Sequence, residues 1–236
     1  MKFALIVLLT ALLTAGTGCP GREDPVSPPP SNLSRFPQDA NELPEPVTRL
    51  MIRMGLSTVE VPAGKASGSE DIWSYLDEES AGPDTAAALG RNGLRVGVGK
   101  LANWPDVKAM LTELTGQQVS STVVPLVSGS PVPIRLKRRQ PVQTVFFSRD
   151  DLSLTGEDYP PGTNQFLLSC TMDRDDRTRV LVTGVPQIET TKRTPKLVDR
   201  NGSRGFVPLP DWHTFRFLRF QLPVANDEFL VIGPGR

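Results

Sequence analysis

The chain has 236 residues with 26 basic and 26 acidic side chains, a single histidine and two cysteines. A neutral balance of this kind carries no electrostatic footprint for nucleic acid, and Lys137-Arg138-Arg139 is too short to be more than a local patch. Two cysteines cannot staple a fold of this size, and with one of them committed elsewhere a single histidine and a single free cysteine cannot fill a zinc site.

The first eighteen residues form one unit. Lys2 precedes an apolar run from Phe3 to Leu13, and the small residues Ala15, Gly16, Thr17 and Gly18 lead into Cys19. One charge, an apolar core shorter than a membrane span and a small-residue cleavage region predict a signal peptide over 1–18. Gly16-Thr17-Gly18-Cys19 resembles a bacterial lipoprotein cleavage box, with Gly16 where that pattern favours leucine. The resemblance implies export, lipid on Cys19 as the membrane attachment, and a periplasmic or surface-facing location. Cleavage after Gly18 leaves 218 residues with 25 basic and 26 acidic side chains, enough for a substantial buried core.

Residues 19–46 contain eight prolines among Ser, Asn, Asp and Glu. Such a composition cannot bury enough surface to offset its chain entropy, so the stretch predicts a tether, up to roughly 90 Å long at about 3.1 Å per residue.

From Val47 to Arg236 the pattern predicts a single β-rich domain with a helical segment over 69–116. Leu56 to Pro62 reads as an early strand, followed by a break at Ala63 to Gly68. Ser69 can cap a short helix through Glu70, Ile72 and Trp73, and Asp84 a second one ending near Gly90 or Asn92-Gly93. Leu94 to Val98 alternates as a half-buried strand does. A third helix starts at Asn103, with Pro105 in its first turn and Gly116 past its end. Its stripe of Trp104, Val107, Met110, Leu111 and Leu114 is suited to packing on a sheet.

Beyond Gly116 the strand candidates are 118–126, 132–137, 142–148, 165–172, 178–188, 214–222 and 228–232, separated by turns such as Asn201-Gly202. The predicted class is α+β, predominantly β: an antiparallel sandwich or partly open barrel with two or three short helices near its start. A phase slip in Phe215 to Leu222 predicts a bulge or bend near Leu218.

Catalytic chemistry finds little footing. His213, beside Asp211 and Trp212, reads as a rim residue, and there is no Gly-x-Ser-x-Gly elbow. Asp173-Arg174-Asp175-Asp176 lacks the glycine and glutamate of a calcium loop and reads as a hairpin turn. Gly93 to Gly99 stands in the wrong order for a phosphate cradle and reads as a strand with close approaches. Cys170, in an apolar strand, reads as a buried thiol. Glu78-Glu79 and Glu157-Asp158 are the carboxylate pairs, and Trp73, Tyr75, Trp104 and Trp212 the aromatics, that a carbohydrate binder or hydrolase would use.

Ile72 to Glu78 followed by Asn92 to Val98, with Thr178 to Val182 and Asp227 to Pro234 further on, resembles a group of uncharacterised envelope lipoproteins of planctomycete-type bacteria. That resemblance implies anchoring and kinship alone and carries over no known activity. Val185-Pro186-Gln187-Ile188 and Phe229 to Gly233 are similar to the last strands of secretin pore proteins, which would make the chain an accessory of an export complex.

The expected function is therefore a non-enzymatic lipoprotein, without catalytic, metal or cofactor residues, that docks on another envelope protein. The alternatives are the carbohydrate-active protein, the secretin accessory, and a structural protein that self-associates through edge strands such as 228–232.

Overall fold

The computed structural model describes residues 2–9, 50–62, 65, 70–149, 153–200 and 203–235. Cys19, the tether, Val47, the break at 63–64 and 66–68, the Ser69 cap and the Asn201-Gly202 turn lie outside them.

Six strands form one antiparallel sheet: β1 (Lys2–Leu9), β2 (Met51–Pro62), β3 (Leu76–Asp77), β4 (Leu94–Lys100), β5 (Thr122–Val127) and β13 (Glu228–Pro234), in the order β3-β4-β13-β1-β2-β5. The second sheet runs β11-β10-β9-β6, from β6 (Val132–Gln140), β9 (Gly162–Met172), β10 (Arg179–Arg200) and β11 (Ser203–Thr214), with β12 (Phe220–Ala225) also paired to β10. A separate hairpin joins β7 (Gln143–Ser148) to β8 (Leu154–Tyr159). Three helices, α1 (Glu70–Trp73), α2 (Pro83–Arg91) and α3 (Trp104–Thr115), fall in the predicted segment. The class is the predicted one, mainly antiparallel β with short helices near the start.

Two cores explain the layering. Between the sheets, Ile52, Met54, Leu230 and Ile232 meet Phe166, Leu168, Phe220 and Leu222, joined by Leu89 of α2. On the other face of the first sheet, Val59, Val61, Phe229 and Val231 pack under Val107 and Leu111 of α3 with Ile72 and Trp73 of α1. Strand β2 serves both cores: Ile52 and Met54 are buried at its start, Ser57, Val59 and Val61 at its end, with unbroken registers to β5 over 51–56 and to β1 over 55–62. Alternation sends the two sets to opposite faces, so the cover passes from the second sheet to the helices along one strand. Buried Ser57 is satisfied by Ser121, Oγ to Oγ 2.6 Å.

Helix ends depart from expectation in two places. Asp84 lies in the first turn of α2 instead of capping it, because Pro83 opens the helix with Gly82 (φ 76°) before it. Asn103 occupies the cap position of α3 without a side-chain cap bond, since a 3-10 turn over Leu101–Asn103 already leads into the helix. Gly116 closes α3 as predicted, at φ 68° with its N–H on the Thr112 carbonyl. Asn92 ends α2 and ties it to β7, donating to the Ala88 and Ser148 carbonyls and accepting the Ser148 N–H.

Other corrections concern strands. The bend near Leu218 is a 3-10 turn, Arg216–Leu218, that separates β11 from β12, so 214–222 is not one strand. Residues 228–232 are not an edge: β13 pairs with β4 on one side and β1 on the other. The stretch 2–9, for which no strand was expected, forms β1 between β2 and β13; a short continuous apolar run cannot be assigned to helix or strand by periodicity.

Candidate functional site

The feature that leaves the packed body is the far half of β10 and β11. Residues Arg179 to Gly184 of β10 pair with β12, and Val180 to Thr190 with β9. After an irregularity between Glu189 and Arg193, the ladder from Arg193↔Pro210 to Arg200↔Ser203 is with β11 alone. Eight residue pairs make a two-stranded ribbon about 27 Å long, and such ribbons have little stability of their own.

The root of this arm is pinned by buried amides. Gln165 Nε2 donates to Gln187 Oε1 at 2.9 Å, and Gln187 Nε2 donates to Thr214 Oγ1 at 3.0 Å. Gln187 therefore fixes the point where β10 passes from one neighbour to the next. Further out, Thr194 Oγ1 donates to Asp211 Oδ2 at 2.7 Å, and Lys196 Nζ stands 3.4 Å from Asp211 Oδ1 and 4.4 Å from the centre of the Trp212 ring. The Thr194 hydrogen bond, with Lys196 adding to it, holds the Asp211 carboxyl below its ordinary range.

One face of the ribbon is left open. Leu197 and Phe206 are cross-strand partners, 59% and 74% exposed, and Pro195 stands opposite Pro208 beside them. Two prolines can oppose each other only at a pair that exchanges no hydrogen bond, so both missing N–H groups point outward and blunt the edges. Between Thr190 and Thr214 the arm carries five basic side chains against two acidic ones.

A second feature is the ion cluster at Arg95. Its Nε donates to Glu78 Oε2 at 2.8 Å, its Nη1 to Glu70 Oε1 at 3.1 Å, and its guanidinium carbon lies 4.4 Å from the centre of the Trp73 ring. A depression of about 380 Å³ beside it is lined by Glu70, Glu78, Leu89 and Arg95 among others. Both carboxylates are engaged by the arginine, and the cluster clamps α1 to the sheet.

The remaining candidates are scattered. His213 is an exposed residue of β11 with its ring edge-on to Tyr159 at 5.0 Å. Asp173 and Asp176 accept hydrogen bonds from the backbone of Asp175 and Thr178, as a hairpin turn requires. Glu157 accepts from the Tyr159 hydroxyl and Asp158 from Thr144. Trp73 is buried, Trp104 and Tyr75 half-buried, and Trp212 exposed under Lys196, so the four aromatics do not floor one groove. Among the described residues no group of three or more His, Cys, Asp or Glu side chains could hold a metal ion. Gly97 and Gly99 admit the close approach expected of them: a Cβ on Gly97 would meet Leu76 Cβ at 2.9 Å, and one on Gly99 the Phe229 ring at 2.5 Å. The two segments similar to secretin strands lie in different sheets, 185–188 in β10 and 229–233 in β13.

Cys170 is buried in β9, and burial pushes its thiol up to about 11. The folded state thus favours the protonated form. Its contribution is full below the ordinary thiol value of 9.0 and is lost as the pH climbs towards 11. Native protein at neutral pH is expected to resist thiol reagents at Cys170 until denatured; rapid native labelling would contradict this burial.

Sequence reasoning missed the arm because β11 carries Pro208 and Pro210 and the end of β10 carries Pro195 among charged residues, which argue against a central strand. Asn201-Gly202 between alternating segments was the available hairpin signal. No family model, curated protein or solved structure matches the chain. The fold and site define a class: a helix-covered antiparallel β protein that projects a ribbon with an open apolar face.

Proposed function

We propose that this protein is a lipid-anchored lipoprotein of the bacterial envelope, without enzymatic activity, which uses its β10–β11 arm to dock on another envelope protein. The observation that carries the docking half is the exposed Leu197–Phe206 pair on a ribbon that ordinary hairpin energetics would not sustain in isolation. The anchoring half is supported by the apolar leader, the cleavage-box resemblance at Gly16 to Cys19 and the proline-rich tether. Several acyl chains on one cysteine hold a protein to a membrane where a single chain does so only marginally.

The test joins intact mass to fractionation. Native protein from an envelope fraction is expected to begin at Cys19 with a mass gain of diacylglycerol plus an N-acyl chain. Cys19→Ala is expected to lose that gain and move to the soluble fraction. An unmodified soluble chain would refute the anchor. Leu197→Asp with Phe206→Asp should leave the unfolding midpoint unchanged and abolish co-migration with envelope complexes on native gels; unaltered co-migration would refute the arm.

A further inference from the structure

Strand β1 lies within the segment read as the leader. Lys2 to Leu9 pairs antiparallel with β2, from Lys2↔Pro62 to Leu9↔Gly55, and antiparallel with β13, from Ile6↔Ile232 to Leu9↔Phe229. Removal of residues 1–18 takes an inner strand out of the sheet. The walls left behind run parallel to each other, about two strand spacings or 9.5 Å apart, with their facing N–H and C=O groups unpaired.

These walls are buried on both faces by other parts of the fold. Phe229 and Val231 lie under α3 while Leu230 and Ile232 face the second sheet. Moving β13 sideways to close the gap would pull Phe229 from Trp104, whose ring centre is 5.4 Å away, and break the glycine fit with Gly99. Among the described residues every strand is already paired within a sheet. Residues 19–46 hold eight prolines, which cannot supply an inner ladder. A second copy offers no better, because its arm is already a paired, proline-blunted hairpin.

We infer that the gap between β2 and β13 is a strand-acceptor site, filled by the leader in the precursor and, in the mature protein, by an extended apolar segment of an envelope partner. Main-chain pairing supplies the affinity in such a site and the alternating side chains its specificity. The fitting segment has about eight residues, no proline, and apolar character like Phe-Ala-Leu-Ile-Val-Leu-Leu, with charge confined to an end as at Lys2. This inference rests on the reading that the leader is cleaved.

The probe is a synthetic peptide of residues 2–9 with appended lysines for solubility, and its Ile6→Pro variant. Mature protein extracted from envelopes, its cleavage verified by intact mass, is expected to bind the peptide, and Ile6→Pro should weaken binding about 100-fold through the lost ladder bond and ring clash. Full chain made without membranes, leader intact, should not bind. Mature protein carrying Thr58→Cys should form a disulfide with an Ile6→Cys peptide, since Ile6 and Thr58 are register partners and Thr58 is exposed. Mature protein that unfolds cooperatively only with the peptide present would support the site equally. Cleaved protein that ignores the peptide, or a mature dimer that the peptide cannot dissociate, overturns the acceptor site and leaves the anchor standing. An envelope protein that retains residues 1–18 overturns the anchoring reading first and the mature site with it.

Discussion

Phe229→Ala is expected to cost about 3–5 kcal/mol, the range for removing a fully buried aromatic side chain. Phe229 is 0% exposed at the middle of the face that α3 covers, edge-on to Trp104 and opposite Gly99 in the ladder. The neighbours cannot collapse into the space easily, because Val107, Leu111 and Val231 are themselves at 0% exposure and held by a helix on one side and a sheet on the other. A urea titration of the chain that retains residues 1–18 should show a lower midpoint with an unchanged slope. A loss below about 1 kcal/mol would mean that this second core relaxes freely, against the close packing described.

Gly184→Val is the second large effect, by overfilling instead of emptying. Gly184 sits in β10 between Phe220 of β12 and Leu168 of β9, its partners in register. Any Cβ there would run into the Phe220 ring and come within 2.9 Å of Leu168 Cδ2. Both neighbours are fully buried, and Phe220 is also braced by Phe166 at 6.2 Å. The expected cost is about 1–3 kcal/mol or more. Pairing Gly184→Ala with Phe220→Leu should cost less than the two changes added, since the smaller side chain makes the room the methyl group needs. Strict additivity would show that the ring and the glycine are not in contact.

Phe229 and Gly184 also mark what a linear reading reaches. The apolar run around Phe229 and the alternation through Val180 and Val182 identify strands by local pattern. Which glycine faces which ring is a matter of register, and register is set by distant partners. The same distinction explains the misplaced edge: Glu228 to Ile232 looks like any short strand until β1 and β4 close on its two sides. The carboxylates behave likewise. Glu78 stands beside Glu79 in sequence, but its partner is Arg95, seventeen residues away and shared with Glu70.

By itself the sequence determined the β-rich class, the helical segment with its Gly116 stop, the buried Cys170, and the expectation of a leader, a lipidated Cys19 and a tether. Apart from the lipid on Cys19, which the cleavage-box resemblance implies, each rests on composition or on periodicity within a few turns or strands, where neighbouring residues decide. Only the tertiary structure decided the neighbours of β13, the two-sided burial of β2, the consumption of Glu70 and Glu78 by Arg95, and the projection of the β10–β11 arm. Those depend on contacts between residues far apart in the chain, where one apolar run can be an edge or an inner strand, and packing chooses between them.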